Sequence, residues 1–291
     1  MQQSRRRFLQ LTGATAAGLT LTGLSGHSLF SGEDKRKIKT FGLQLYTLRD
    51  VLPQDPKGIL KQVASFGYKQ IESYEGKDGM FWGLGHTGFK KYMDDLGMKM
   101  INSHCDMNKD FEKKAGDAAA IGMKYLICPW VGPQKKLDDF KKLADTFNQK
   151  GEICKKNGIR FAYHNHDYSF KAMDGQLPQD IMMTGTNPDT VDFEMDIYWV
   201  VVAGQDPIAW FKKYPNRFTS CHIKDRTKNP GTDNGKNSTD LGTGSIDFRR
   251  ILKPASKSGM QYYIVEQEAY PNGTSLQAVQ AGAEYMKKLK I

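Results

Sequence analysis

The sequence has no C-x-x-C pair, no glycine-rich phosphate loop, no long block of like charges and no extended run of strongly apolar residues. Each absence removes a class of protein. The four cysteines, Cys105, Cys128, Cys154 and Cys221, have no ligand-like spacing, so neither a cysteine zinc site nor a disulfide framework is indicated. They are expected to be free and buried. A membrane span wants about 20 consecutive apolar residues, and none is present. Lys and Arg outnumber Asp and Glu by 42 to 32, a formal +10. That excess is scattered over lysine-rich helix faces rather than gathered into a patch with interleaved aromatics, so no nucleic-acid partner is expected. No Pro/Gly/Ser-rich tract reads as disorder, and 39% hydrophobic with 25% charged residues is a globular balance.

What is present begins with an address. Ser4-Arg5-Arg6-Arg7-Phe8-Leu9 precedes an uncharged stretch from Gln10 to Gly32 rich in Gly, Thr and Ala. A basic start followed by a short, weakly apolar region reads as a secretory signal, and the paired Arg followed by Phe-Leu resembles the twin-arginine export motif. Residues 1–32 are therefore expected to be an export segment and 38–291 the folded domain, with the product exported to the periplasm. No small-x-small cleavage site stands near Ser31, which leaves open retention of the segment as a membrane anchor. No cysteine near its end points to lipoprotein processing. Twin-arginine export carries folded, often cofactor-loaded proteins, which suits a metalloenzyme.

From Lys39 onward one rhythm recurs: a short β-branched or aromatic run, a polar turn, then a segment of 3.6-residue period. The runs are Phe41–Leu45, Gln70–Ser73, Met98–Ser103, Tyr125–Cys128, Arg160–Tyr163, Val191–Met195, Phe218–Ile223 and Tyr262–Val265. Helices are predicted over Pro56–Phe66, Phe89–Leu96, Phe111–Ile121, Leu137–Lys156, Pro207–Tyr214, Ile246–Ser258 and Ser275–Leu289. Helix-ending glycines such as Gly67 and Gly158 introduce several of the strands. Parallel strands joined by crossover helices follow, and eight units in about 250 residues make an α/β fold, a single (β/α)8 TIM barrel. The open doubly wound sheet is the alternative, but the first strand runs into Thr47-Leu48-Arg49-Asp50 without the phosphate loop such a sheet carries.

A barrel collects its chemistry at the carboxyl ends of the strands. Those ends read Gln44 and Tyr46; Glu72 and Tyr74; His104 and Asp106; Pro129 and Trp130; His164 and His166; Glu194 and Asp196; His222, Lys224 and Asp225; Glu266 and Glu268. Four of the six histidines fall there. Imidazoles and carboxylates converging from separate strands suit a divalent metal, Mn, Co, Zn, Mg or Fe. His164, Asp196, His222 and Glu266, one from each late strand, are the expected ligands; the alternative is a hydrogen-bonded polar plug. Residues two apart, His164/His166 and Glu266/Glu268, share a face at successive depths, so the deeper can bind metal while the outer meets substrate. Lys224 is expected either to hold a substrate oxygen or to form a rim ion pair with Asp225 or Glu266. Glu72 and His104 are expected to close the substrate pocket from the early strands. Trp130, Tyr74 and Trp199 either stack on a sugar ring or simply pack.

These stretches resemble the xylose isomerase-like barrel superfamily, the sugar phosphate isomerase/epimerase group. Ala162–Asp167, Met195–Trp199, His222–Asp225, Val265–Glu268 and the glycine loop Leu241–Asp247 carry the likeness, which extends from Lys39 to Lys290. In that family's epimerases, Glu, Asp, His and Glu from four late strands hold the metal, and the two Glu exchange protons with substrate carbon through an enediolate. The resemblance implies Asp196, His222 and Glu266 as three of these ligands. His164 stands where the first Glu would be, which removes one of the two carboxylate bases and leaves His164, His166 or Glu268 to serve.

Three functions are consistent with this reading. The first is metal-dependent isomerisation or epimerisation of a sugar or keto-sugar, with Glu266, His164, His166 and Lys224 as catalytic groups and Glu72, His104, Trp130, Trp199 and Glu268 contacting substrate. The second is β-elimination from a 3-keto-glycoside, motivated by export away from cytoplasmic sugar phosphates. The third is a catalytically silent carbohydrate-binding barrel. A relative of the barrel endonucleases is disfavoured because their multi-metal cluster needs more His and carboxylate ligands.

Overall fold

Alternating strand and helix signals close into a ring. The computed structural model describes residues 37–231 and 237–291; the expected export segment, 1–32, lies outside the described residues. Eight strands, β1 (Gly42–Gln44), β2 (Gln70–Tyr74), β3 (Lys99–His104), β4 (Tyr125–Cys128), β5 (Arg160–His164), β6 (Val191–Asp196), β7 (Phe218–Ile223) and β10 (Tyr262–Val265), form a closed barrel in that order, with β10 returning to β1. Every pairing is parallel. A short antiparallel hairpin, β8 (Asp225–Arg226) with β9 (Ser238–Thr239), rises from the end of β7. No helix among the described residues is long and apolar enough to cross a membrane.

The helices start and stop where their end residues dictate. In α1 (Pro56–Phe66) Asp55 caps the Gly58 amide at 2.9 Å, proline takes the first turn, and Gly67 ends the helix at φ +102°. In α9 (Ser275–Lys288) Thr274 and Gln277 form a reciprocal capping box. Three features depart from the sequence reading. The helix α2 (Gly85–Asp95) begins four residues before the expected Phe89, while α3 (Phe111–Ala120) and α4 (Leu137–Lys156) start where expected. Between β5 and β6, where the sequence reading gave no helix bounds, a 3-10 turn (Asp167–Phe170) and α5 (Pro178–Gly185) intervene. The run after β6 makes its own short helix, α6 (Ile197–Val202), capped by Asp196 and set before α7 (Pro207–Lys213).

Alternation along the strands divides the molecule into two interiors. Outward residues such as Leu126, Phe161, Tyr163, Val191 and Met195 join the large apolar layer beneath the helices. All four cysteines are free and buried, and they pack in this layer as well. Inward residues form a small separate apolar group, Tyr125, Ile127 and Ala162 with Tyr262 against it. Near it Arg160 clasps Asp192 at 2.6 and 2.8 Å. Two register shifts refine the alternation. Between β2 and β3 the pairing jumps from Ile71↔Met100 to Glu72↔Asn102, and between β6 and β7 from Phe193↔Phe218 to Glu194↔Ser220. One residue, Ile101 or Thr219, is passed over each time. Met100 and Phe218 therefore face the helices, whereas Asn102, His104, Ser220 and His222 turn into the lumen. Bulges of this kind re-aim side chains beside active sites.

Candidate active site

Three imidazoles and four carboxylates meet inside the carboxyl end of the barrel, and all are buried. At the deeper level, Glu194 Oε2 lies 2.9 Å from His104 Nε2, 3.2 Å from His164 Nδ1 and 3.2 Å from His222 Nε2. Its other oxygen accepts from Ser220 Oγ at 2.8 Å. Glu72 Oε1 faces His222 Nε2 at 2.6 Å, His104 Nε2 at 3.1 Å and the amide of Gln44 at 2.6 Å, while its Oε2 has no partner. Above them His222 turns Nδ1 to Glu266 Oε2 at 3.1 Å. The Lys224 ammonium lies 2.9 Å from Asp196, 3.1 Å from Glu266 and 2.5 Å from Glu268. Asp196 is fixed at the head of α6, accepting from the Trp199 amide at 3.3 Å while Asn165 grips its backbone on both sides.

Charge and burial pull against one another throughout. Burial would lower His104, but the Glu72 and Glu194 carboxylates outweigh it and raise the imidazole to about 9. His222 is raised well above the histidine range in the same way, burial being overcome by Glu194, Glu266 and Glu72. His164 goes to about 3, driven by burial and then by its neighbours His222 and His104. Burial, His164 and Lys224 likewise hold His166 well below its usual value. Burial lifts Asp196 to about 6 against the pull of Lys224 and His222. Glu194 and Glu266 stay well below the carboxylate range although burial opposes it, Glu194 chiefly through His222 and Glu266 chiefly through Lys224.

The donor chemistry fits a divalent ion. Donor atoms of His104, His164, Glu194 and His222 lie within 4.8 Å of one another, and so do those of Asp196, His222 and Glu266. Buried nitrogen and carboxylate donors with an unpartnered oxygen, Glu72 Oε2, are what a borderline cation such as Zn, Mn or Co accepts. A cavity of about 460 Å³ opens above the cluster, with His104, His164, His166, Glu266 and Glu268 in its lining. The exposed large hydrophobics among the described residues, Tyr46 (40%) and Trp130 (55%), both stand in that lining. Trp130 meets the His166 ring edge-on at 4.5 Å, and His166 stacks on Tyr168. Glu75 and Asp106 add carboxylates to the wall, and among the described residues no Lys or Arg is part of it.

The expected site residues thus separate by depth. His104, His164, His166, Trp130, Glu266 and Glu268 reach the cavity, whereas Glu72, Asp196, His222 and Lys224 lie beneath it. Trp199 stands behind His166, 5.2 Å ring to ring. Asp225 makes no pair with Lys224; its carboxylate receives the amides of Arg226, Gly242, Gly244 and Ile246. Glu194 carries more of the cluster than its place in the sequence announced. The available signal was its parity with Asp196, two residues on, which already put it in the lumen.

Comparison with known proteins gives the same direction. Residues 60–289 match the family model described as xylose isomerase-like TIM barrel. A solved structure described as a sugar phosphate isomerase/epimerase from Parabacteroides distasonis is 31% identical. It superposes with a TM-score of 0.75 over 86% of this chain and 98% of that one. The inosose dehydratase of Lacticaseibacillus casei is 27% identical over 147 residues, 46% of this chain and 49% of the relative; the match thus spans about half of that protein's length. The IOLI protein, solved with a zinc atom, shares the fold at 16% identity and a TM-score of 0.70, over 84% of this chain and 95% of that one.

Proposed function

The chain belongs to the xylose isomerase-like TIM barrel family, and on that premise we propose that it is a divalent-metal-dependent sugar isomerase or epimerase. It would abstract a proton from a carbon next to a carbonyl, through an enediolate. The observation that carries this reading is the buried cluster of three imidazoles and four carboxylates beneath a cavity that Glu266 and His166 share. An ion held among these donors would polarise the carbonyl and its neighbouring hydroxyl.

The protein's own groups supply the proton transfer. Glu266 has one oxygen fixed by His222 and Lys224 and lines the cavity, which suits a positioned base kept ionised at neutral pH. His166, kept neutral by burial and with Nδ1 unpartnered, can accept or return the second proton. Trp130 and Tyr46 offer flat faces to a sugar ring. The wall's carboxylates, with no lysine or arginine among its described residues, favour an uncharged keto-sugar over a phosphorylated one. The test is solvent deuterium entering the substrate's α-carbon, followed by NMR. Glu266→Gln should keep its metal and lose about 10²–10⁴-fold in exchange; full exchange in that variant would overturn the assignment.

A second reading uses the same deprotonation with loss of a β-substituent, as a lyase on 3-keto-glycosides. Two observations favour it: the dehydratase name of the L. casei relative, and His164 standing where an epimerase has its first Glu base. Incubation with 3-keto-glucosides and chromatography for released aglycone separates the two; no release removes the second. The twin-arginine-like start supports a periplasmic site of action.

A further inference from the structure

Behind the early-strand wall of the cavity lies a charged contact that the proton transfer does not use. Lys114, on α3, is buried, and its ammonium donates to Glu75 Oε2 at 2.7 Å and to the Asp106 carbonyl at 2.9 Å. The Asp106 amide donates to the same Oε2 at 2.8 Å. Resting on the keto-sugar reading above, we propose that Glu75 is a specificity-determining residue. It accepts hydroxyls from the part of an unphosphorylated sugar that lies away from the reacting carbon, and Lys114 holds it in place to do so.

The two oxygens of Glu75 are used unequally. Both protein donors fall on Oε2, while Oε1 has no hydrogen-bond partner among the described residues, and Glu75 lines the cavity. An ionised carboxylate accepts through both oxygens, so Oε1 is left to take a hydroxyl hydrogen. Burying an ammonium is costly unless its charge is paired, and here the exposure falls on the acid. The Glu75 side chain is 25% exposed against 11% for Lys114. The backbone is fixed too, since the Glu75 amide donates to the His104 carbonyl at 2.9 Å.

The surroundings are those of a sugar subsite. In barrel order Glu75 and Asp106 stand between Tyr46, after β1, and Trp130, after β4, the exposed aromatics of the lining. Both rings are braced edge-on, Tyr46 by Tyr74 at 5.2 Å and Trp130 by Tyr168 at 4.9 Å. Aromatic faces cover the apolar side of a ligand while a few placed polar groups orient it. The strands β2 and β3 stand across the ring from β6 and β7, so this wall meets the end of the substrate away from Asp196 and His222. Lys114 is outside the lining, and the wall therefore presents the acid and not the ammonium. A phosphoryl group there would meet Glu75, Asp106 and Glu268 with like charge.

The test titrates the metal-free, full-length chain with methyl glucoside and with its 6-phosphate, followed by tryptophan fluorescence. Glu75→Gln should weaken the glucoside about 10–100-fold, the loss expected for a hydrogen bond to a charged acceptor. It should bind the 6-phosphate as well as wild type or better. Equal weakening of both ligands, an unchanged glucoside Kd, or no glucoside binding by wild type overturns the proposal. Lys114→Met should reproduce the glucoside loss, and the double variant should add little to either single one, because the two residues act as a unit. Since Lys114→Met can fail to fold, monodeoxy glucosides give a second reading. At least one should bind about 10-fold more weakly than its parent to wild type and equally to Glu75→Gln; the same loss in both proteins counts against the subsite. Glucoside binding that depends on Glu75, in a chain that exchanges no deuterium into any keto-sugar, would sink the isomerase reading alone. Exchange whose KM is unmoved by Glu75→Gln would sink this assignment alone.

Discussion

His104 holds its proton to about pH 9, against about 6.5 for a free imidazole, because two carboxylates face it. Its folded value is raised, so its contribution to stability is complete below pH 6.5 and is lost as pH climbs through 9. Asp196, raised to about 6 from 3.8, also favours the folded state when protonated and loses that contribution between about pH 4 and 6. His164, lowered to about 3, works in the opposite sense over the acid range, so the window above 6.5 belongs to His104 and to His222, which is raised in the same sense. EDTA-treated protein should melt at progressively lower temperature from pH 6.5 to 9, a trend read by calorimetry. With saturating metal the trend should weaken, since ligation displaces the proton of an imidazole such as His222. A flat melting profile without metal would contradict the charge pairing of His104 and His222. At this scale much of the site was legible: His104, His164, His222 and Glu266 announce themselves as strand-end groups. Depth was not. Glu72 and Glu194 look like any other strand-end carboxylates until the barrel closes and brings β2, β3, β6 and β7 around one centre.

Among the elements, the segment from Gly242 to Ile246 that leads into α8 (Phe248–Lys257) hangs on a single side chain. Asp225 accepts amides from Gly242 at 2.9 Å and from Gly244 and Ile246 at 3.1 Å. Gly244 passes so close that a Cβ would sit 2.3 Å from the Arg226 carbonyl. This anchors β9, whose Ser238 hydroxyl accepts from the Glu268 and Ala269 amides at 3.0 and 2.8 Å. Asp225→Ala should cost on the order of 3 kcal/mol by stranding these donors. It should also raise KM more than it lowers kcat, because Glu268 loses its support while Glu266 keeps Lys224 and His222. Denaturant melts and substrate titration measure the two effects, and an unchanged KM would separate the loop from the site. The strands and most helices could be read from periodicity and terminal glycines. The insertion after β5 could not, because Asp167–Phe170 and Pro178–Gly185 are too short to establish a 3.6-residue period.

Taken whole, the molecule is one barrel whose chemistry lies at one end, with the twin-arginine-like segment preceding it in sequence. On the proposed export, replacing Arg5 and Arg6 by Lys should leave the folded protein in the cytoplasmic fraction, and cell fractionation with an immunoblot checks this; an unchanged distribution would overturn the twin-arginine reading. The register shifts at Ile101 and Thr219 have a further effect at this scale. Removing either residue leaves its neighbours as they are, Met100 or Phe218 facing the helices and His104 or His222 the lumen, whereas removing a regularly paired residue, Ser103 or Cys221, turns the histidine that follows it towards the helices. Deletion of Cys221 in β7 should therefore abolish metal binding while every candidate ligand remains in the sequence, and deletion of the passed-over Thr219 should preserve it, as measured by metal content of any folded product. The barrel's reactivity is thus written partly in arithmetic: a change of one codon in length can silence the site without altering a single residue that forms it.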